Sequence, residues 1–320
     1  MALYAFDGTW NSAVVDDGLD EANDTNVVHF YDAYGGPKWY ISGPGTRLGK
    51  LGKAVGGVAG AGARERLEES YKQLRRSFEA GDRTIDIVGF SRGAAIALDF
   101  ANLIHDRGVI DVETERVIAD NVPIRFLGLW DVVGSFGIPI GERVFQKINL
   151  GHKLSVPDNV EYAFHAISLD DRRQSFRVTR QLNAYEVWFR GVHSDVGGGN
   201  GNAGLSCIAL RWMLSKAKAA GLPIDDAAVV KRDDRIDPEA ALRLPKDFVI
   251  NDFRELWADD RFHYTVSDRP GHNNPPAASA RESRDDETRA LRRAELPRRD
   301  PPSRKSRPGD GQRTNVIPGD

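Results

Sequence analysis

A serine flanked by glycines is the feature of this sequence most typical of a catalytic site. Gly89, Ser91 and Gly93 form a G-x-S-x-G pattern, which an apolar strand signal precedes and an alanine-rich helix signal follows. In that context the pattern predicts a nucleophile elbow, a tight turn that exposes the serine hydroxyl at the edge of a sheet. The two elbow glycines carry no Cβ, so strand and helix can pass closely there. We therefore predict that Ser91 is a nucleophile.

A serine hydroxyl needs a base to take its proton, and the histidines that follow the elbow are the candidates. His193 comes after a β-rich segment, 186–190, and stands in a glycine-rich loop. Loops at the carboxyl edge of a parallel sheet are where functional side chains gather. His105 and His165 fall within predicted helices, which favours structural or surface roles for them. We predict that His193 is the base.

An aspartate must orient that histidine, and Asp131 is the favoured candidate. It closes the predicted buried strand 124–130 and so should lie at the same sheet edge as the elbow. Asp170 and Asp171 are rivals, but they follow a segment with helical spacing, and Asp99 lies in the helix behind the elbow. The alternative role for Asp131 is that of a helix N-cap.

Two loops are expected to complete the site. The start of the helix after the elbow directs backbone N–H groups, that of Arg92 among them, towards a developing oxyanion. A second donor is expected from the loop after the first strand, from the N–H of Gly8 or Thr9. Asp7 and Asp195 are the residues expected to hold the neighbouring loops in shape.

Strand and helix signals alternate over the first 265 residues. This alternation predicts an α/β fold similar to that of the α/β hydrolases, a mostly parallel sheet with helices on both faces. The predicted strands are 2–6, 38–42, 84–90, 124–130 and 186–190, and the predicted helices are 27–34, 63–79, 92–106, 158–169 and 205–219.

Composition changes near residue 265, which predicts two regions. Residues 268–320 hold eight of the sixteen prolines but only four Leu, Ile, Val or Phe residues. Such a segment cannot bury enough apolar surface to offset the entropy lost on ordering. We therefore predict a catalytic domain over 1–265 and a Pro/Arg-rich, disordered tail over 266–320.

Charge and composition exclude several classes of protein. The formal net charge of −3 gives no general footprint for nucleic acid. No apolar run approaches the roughly 18–20 residues that a membrane span needs, and the N-terminus has no signal-peptide pattern. A single cysteine, Cys207, supplies neither an internal disulfide nor a Cys-rich metal site. We expect a cytoplasmic location by default, no metal and no cofactor.

A glycine-rich segment, 43–62, has two interpretations. It misses the spacing of a phosphate-binding loop and lacks the strand that a dinucleotide-binding loop follows. Its apolar residues set among small ones, such as Leu48 and Leu51, suit a lid that uncovers an apolar face at a lipid surface. The alternative is an ordinary surface loop.

Six segments in order resemble one known family over about residues 1–220. It is the α/β-hydrolase family long labelled a domain of unknown function, which includes the phospholipase effectors of type VI secretion, the Tle group. The resemblance implies Ser91 as nucleophile, Asp131 as acid and His193 as base. It also implies cleavage of an acyl ester of a glycerophospholipid, contact with a membrane surface and export without a signal peptide. The segments are FDGTWN (6–11), GPGT (43–46), GFSRGA (89–94), LGLWDVVGSFG (127–137), HAISLDDRR (165–173) and WFRGVHSDVGGG (188–199).

The favoured interpretation is a serine hydrolase that acts on a lipid or phospholipid ester through an acyl-enzyme. Two alternatives stay open at this point. One is a general carboxylesterase that acts on soluble esters, because the pocket rather than the fold sets substrate choice. The other is a non-catalytic interaction protein on a hydrolase scaffold, with protein partners that the sequence does not identify.

Overall fold

Strands and helices alternate up to residue 107 and follow one another in groups after it. The structure, a computed structural model, describes residues 1–8, 23–43, 57–111, 114, 116–134, 154–201, 203–233, 235–242, 253–269, 273–275 and 279–299. The strands are β1 (Ala2–Phe6), β2 (Lys38–Ile41), β3 (Ile85–Phe90), β4 (Val109–Ile110), β5 (Val117–Ala119), β6 (Ile124–Trp130), β7 (Val160–Ser168), β8 (Tyr185–Phe189), β9 (Arg261–His263) and β10 (Ala280–Glu282). The α-helices are α1 (Asn26–Ala33), α2 (Gly57–Glu79), α3 (Ser91–Arg107), α4 (His193–Gly197), α5 (Ala203–Ala219), α6 (Asp226–Asp233) and α7 (Arg284–Glu287).

Eight of these strands form one sheet in the order β10-β9-β8-β7-β6-β3-β1-β2. Every pairing in that sheet is parallel, so all of its strands end at the same edge. The chain passes from β1 to β2 on one side and then to β3 on the other, which makes the β1–β3 junction a topological switch point. A crevice outside the carboxyl ends of the strands is the usual ligand site at such a point.

Helices cover both faces of the sheet. Helices α2 and α3 pack on one face through residues such as Leu74 and Phe100. Helices α1 and α5 pack on the other through residues such as Phe30 and Trp212. Because the central strands are buried on both faces, β3 carries an uninterrupted buried pattern rather than an alternating one. The predicted fold class, α/β with a parallel sheet between two helical layers, is confirmed.

The predicted helix over 158–169 is wrong, because these residues form strand β7. Val160, Ala163, Phe164 and Ile167 recur at a spacing that suits one helix face. A strand buried on both faces gives no alternation to distinguish it from such a helix. His165 consequently lies in the centre of the sheet and not in a helix.

The predicted disordered tail is wrong for residues 279–299. Strand β10 pairs with β9 at the edge of the sheet, and α7 follows it. Buried ion pairs join this segment to the domain: Glu282 with Lys216, Glu287 with Arg211, and Arg299 with Glu186. A low content of apolar residues does not reveal this order, because strand pairing and buried ion pairs contribute to it. Residues 300–320 lie outside the described residues.

The glycine-rich segment is described only in part. Helix α2 begins at Gly57, six residues before its predicted start, while residues 44–56, with Leu48 and Leu51, lie outside the described residues. The lid interpretation therefore stays a prediction. Across the parts of the chain that the structure describes, no helix combines the length and the hydropathy that a bilayer crossing requires.

Candidate active site

Ser91 stands at the junction between β3 and α3. Its φ of +59° lies in the left-handed region, which residues other than glycine rarely adopt. A Cβ at Gly93 would overlap the carbonyl groups of Phe6 and Asp7, so only glycine lets α3 pass the end of β1 so closely. A Cβ at Gly89 would likewise overlap the backbone of Ala94. The turn therefore has the strained geometry predicted for a nucleophile elbow.

Asp131 and His193 meet at the carboxyl edge of the sheet. Asp131 directly follows β6, and its φ of +42° is again in the left-handed region. His193 opens α4, two residues after Gly191, whose φ of +118° requires glycine at the turn after β8. Nδ1 of the imidazole lies 2.6 Å from Oδ2 of Asp131. With Nδ1–H donating to the carboxylate, Nε2 is the nitrogen left to accept a proton.

The imidazole of His193 is held between two aromatic rings. Its ring centroid lies 4.6 Å from that of Phe90 and 4.7 Å from that of Phe176. Burial lowers the pKa of His193 below its usual value, although the hydrogen bond to Asp131 opposes this. At neutral pH the ring is therefore mainly neutral, which is the protonation state that a general base requires.

The Asp131 carboxylate is surrounded by donors. Burial alone would raise its pKa, but the positive charge of Arg254 and the hydrogen bond from His193 hold the pKa well below its usual range. Nη1 of Arg254 lies 2.5 Å from Oδ1, and Nη2 lies 3.0 Å from Oδ2. Ser168 donates its backbone N–H to Oδ1 at 3.0 Å. The Asp131 carboxylate is thus fixed in its ionised form.

The alternative candidates for the acid, Asp170 and Asp171, lie at the same edge of the sheet but bind other groups. Asp170 pairs with Arg190 and accepts from the N–H of Gly191. Asp171 accepts the backbone N–H of His193 at 3.1 Å and pairs with Arg173. The carboxylate that contacts the imidazole is that of Asp131.

Asp195, within α4, contacts the chain on both sides of that helix. Its Oδ2 accepts the N–H of Val192 at 3.0 Å, and its Oδ1 accepts Nδ2 of Asn200 at 2.7 Å. The side chain also packs directly against Gly191. That Asp195 shapes the site stays a prediction, which these contacts support.

On the opposite side of the site, Asp7 organises the loop after β1. Its carboxylate accepts from Thr25 Oγ1 at 2.9 Å, Tyr40 OH at 2.6 Å and the backbone N–H of Gly8 at 2.6 Å. Burial raises the pKa of Asp7 to about 6 in spite of these donors. Because the N–H of Gly8 is engaged by Asp7, it does not fit the predicted role of oxyanion donor. The other candidate in this loop, Thr9, lies outside the described residues.

One cavity joins these groups at the switch point. Ser91 and His193 line it together, with Gly8 on the side of β1. Arg92 and Arg173 also line it. The lining of the cavity thus combines a serine, a histidine and two arginines.

Sequence reasoning missed two residues of this site. Arg254 lies 123 positions from Asp131, in a stretch without periodicity or motif, so no local signal marks it. Arg173 ends one of the segments that carry the family resemblance, yet its place near His193 depends on β7 being a strand. Arg92 was singled out for its backbone N–H and not for its side chain.

Comparisons with known proteins identify the family. The model described as "T6SS, Phospholipase effector Tle1-like, catalytic domain" matches residues 3–121 and 111–216. No curated protein matches the chain.

Solved structures show distant likeness. An uncharacterized protein from Pseudomonas aeruginosa is 22% identical, with a TM-score of 0.49, over 74% of this chain and 49% of its own. The Tle1 effector, solved bound to the VgrG spike of the type 6 secretion system, is 21% identical, with a TM-score of 0.43, over 63% of this chain and 51% of its own. This chain thus spans about half the length of each.

The match to the family model extends over more than half of the chain and includes the Ser91 turn, the strand before Asp131 and the segment that contains His193. The resemblance noted in the sequence is confirmed: this chain belongs to the family of Tle1-like phospholipase effector catalytic domains of type VI secretion.

Proposed function

We propose that this chain is a serine hydrolase that cleaves an acyl ester of a phospholipid through an acyl-enzyme. One observation carries the proposal. The imidazole of His193 is bonded to Asp131 through Nδ1 and shares a cavity with the strained elbow residue Ser91. A nucleophile, a base and an acid that orients the base are the parts that this chemistry needs.

The first half-reaction follows from these positions. Nε2 of His193 removes the proton of the Ser91 hydroxyl as Oγ attacks the acyl carbon, and Asp131 stabilises the imidazolium that forms. The backbone N–H of Arg92, in the first turn of α3, stabilises the oxyanion. The proposed second donor is the backbone N–H of Thr9, which lies outside the described residues. The imidazolium then protonates the leaving alcohol, which departs as a lysophospholipid.

The second half-reaction releases the fatty acid. Water enters the place of the alcohol, and His193 takes its proton as the oxygen attacks the acyl-enzyme. Collapse of the tetrahedral intermediate expels Ser91, which recovers its proton from the imidazolium. The proton transfers of this cycle involve only Ser91, His193, the substrate and water.

Family membership supports a lipid substrate over a soluble ester. The matched model is that of a phospholipase effector catalytic domain. We propose accordingly that the chain acts at a membrane surface and is exported by a route that uses no signal peptide. A general carboxylesterase is the competing function, since the triad alone does not choose the ester.

Two experiments test the proposal. A fluorophosphonate probe should label the wild type and not Ser91→Ala, and absence of labelling in both would favour a non-catalytic protein. Rates on a short soluble ester, a triglyceride and a phospholipid, the last below and above its aggregation threshold, test the substrate class. We expect faster turnover of aggregated phospholipid; equal rates on both sides of the threshold would favour the carboxylesterase.

A further inference from the structure

The side chain of Arg92 has no counter-charge within the described residues. Its Nε is buried and makes no hydrogen bond, and its guanidinium pairs with no carboxylate in that part of the structure. Burial lowers the pKa of Arg92, and the charge of Arg173 lowers it further. The fold thus retains a cation in an unfavourable place beside the nucleophile.

Arg173 brings a second positive charge to the same cavity. Its guanidinium donates to Asp171 at 2.6 Å and lies 3.6 Å from the ring centroid of Phe176. Asp171 also accepts the N–H of His193, so the carboxylate fixes Arg173 relative to the base. The ion pair with Asp171 and the ring of Phe176 hold Arg173 at the cavity. The positive charge of Arg173 nevertheless disfavours the charged form of Arg92.

Two cations that share a cavity repel each other, and burying an unpaired charge is costly. Such an arrangement persists where a ligand supplies the missing negative charge. Guanidinium groups match the oxygens of a phosphate or a carboxylate, to which they donate parallel hydrogen bonds. The binding of an anion would remove both the repulsion and the unmet hydrogen-bonding capacity.

We propose that Arg92 and Arg173 form an anion subsite that binds the phosphate of the phospholipid whose ester Ser91 attacks. The inference rests on the proposed function and gives it a substrate class, glycerol esters that bear a phosphate. In a glycerophospholipid, phosphate and acyl ester are attached to the same three-carbon unit. The phosphate is therefore only a few bonds from the scissile ester. A site for it at Arg92, the residue next to Ser91, fits that short separation.

The test compares two lipids with the same acyl chains, a phosphatidic acid and a diacylglycerol, in mixed detergent micelles. The measured quantity is the ratio of their kcat/KM values for each variant. Loss of a charge-assisted hydrogen bond should lower this ratio about 10- to 100-fold in Arg92→Gln. Arg92→Lys, which keeps the charge but not the planar fork, should fall between Arg92→Gln and the wild type.

Arg177→Gln is the matched control, because Arg177 is exposed, lies four residues after Arg173 and is not in the cavity lining. Its ratio should equal that of the wild type, whereas an equal fall in both variants would indicate only general attraction of anionic micelles. An unchanged ratio in Arg92→Gln would overturn the subsite. Absence of any Ser91-dependent ester hydrolysis would instead contradict the proposed function.

Binding tests the subsite without turnover. Calorimetry with Ser91→Ala should detect glycerol 3-phosphate, and the added change Arg92→Gln should abolish the signal. Inorganic phosphate as a second titrant distinguishes a site for any free phosphate from one that requires the glycerol ester. The melting temperature of Arg92→Gln should not fall, because the change removes an unpaired cation; a lowered value with unchanged binding would show a structural role and overturn the proposal.

Discussion

Arg254 binds both carboxylate oxygens of Asp131, at 2.5 and 3.0 Å, from a segment that lies beyond the residues matched by the family model. The same guanidinium donates to the carbonyl groups of Ser168 and Phe176. Both partners are buried, with 7% of the Arg254 side chain and none of the Asp131 side chain exposed. Since a cation reduces the stabilisation that Asp131 gives to an imidazolium, the benefit of this contact is geometric: it fixes the plane of the carboxylate.

Arg254 is accordingly predicted to be a positioning residue. Arg254→Gln should lower kcat about 10- to 100-fold with little change in KM, because a misaligned carboxylate misplaces the base. Arg254→Lys should also lose rate, since an ammonium group cannot make two parallel bonds. Steady-state kinetics on a short soluble ester measure both effects.

The pH profile separates this role from a structural one. Removing the cation beside the Asp131–His193 pair makes protonation of the imidazole easier, which raises the pKa of His193. The acid limb of kcat/KM should therefore move to higher pH in Arg254→Gln and stay in place in Arg254→Lys. Arg172→Gln, on an exposed arginine stacked over Phe253, is the control and should change neither rate nor profile. If Arg254→Gln lost rate only because its melting temperature fell, the result would argue against a positioning role for Arg254.

The proposed triad makes a second prediction. Ser91→Ala, Asp131→Asn and His193→Ala should each lower kcat by about 10³-fold or more, and double variants should be no worse than the single ones. His105→Ala, at the exposed end of α3, should keep wild-type turnover. If Asp131→Asn stayed active while Asp170→Asn did not, the acid would be misassigned.

The three residues of the proposed triad can be singled out in the sequence because each has a local signal. Ser91 has its glycine-flanked turn, and Asp131 and His193 each follow a recognisable strand of a parallel sheet. Parallel strands end at one edge, so residues 62 positions apart could be expected to meet there. The hydrogen bond between Asp131 and His193 agrees with that expectation.

What the sequence did not reveal depends on contacts between distant segments. Arg254 has no motif, and only tertiary packing brings it to Asp131. The periodicity of 160–167 suits a helix and a fully buried strand equally well, so the pattern alone could not identify β7. The order of residues 279–299 comes from charges buried against opposite charges, which a count of apolar residues does not register.

Asp7 should make stability depend on pH. Its folded pKa of about 6 lies above the value of 3.8 for an ordinary aspartate, and burial is the main cause. Between these values the native state binds more protons than the unfolded state, so the free energy of unfolding falls as pH rises. Titration of Asp7 should lower the free energy of unfolding by about 3 kcal/mol, and this loss should be complete above about pH 6.

Asp7→Asn isolates this contribution because asparagine does not titrate. Urea unfolding at pH 4.5 and 7.5 gives the difference in stability between wild type and variant at each pH. The free energy of unfolding of Asp7→Asn relative to the wild type should be higher at pH 7.5 than at pH 4.5. Hydrogen bonds lost through the substitution lower the stability of the variant at both pH values and do not affect this comparison. A constant difference would mean that the carboxyl titrates normally in the fold.

The last prediction concerns the C-terminal segment and its link to the site. Arg299 is paired with Glu186 at 3.0 Å and with Asp260 at 2.7 Å. Glu186 in turn lies 3.0 Å from Nδ1 of His165, whose Nε2 accepts the N–H of Val132, the residue after Asp131. Arg299→Ala should therefore lower the free energy of unfolding by about 3 kcal/mol, because it leaves buried carboxylates short of a partner.

Two comparisons make this prediction specific. Arg298→Ala, on the exposed neighbour, should change stability by less than about 0.5 kcal/mol. A chain that ends after Asp268 should lose more stability than Arg299→Ala, because it also removes the partners of Lys216 and Arg211, whereas a chain that ends at Arg299 retains them. Denaturant unfolding followed by tryptophan fluorescence measures all four, since Trp188 and Trp212 are buried in the core near this segment. Equal stability of the chain ending after Asp268 and the full chain would restore the original prediction of a tail that contributes nothing to the fold.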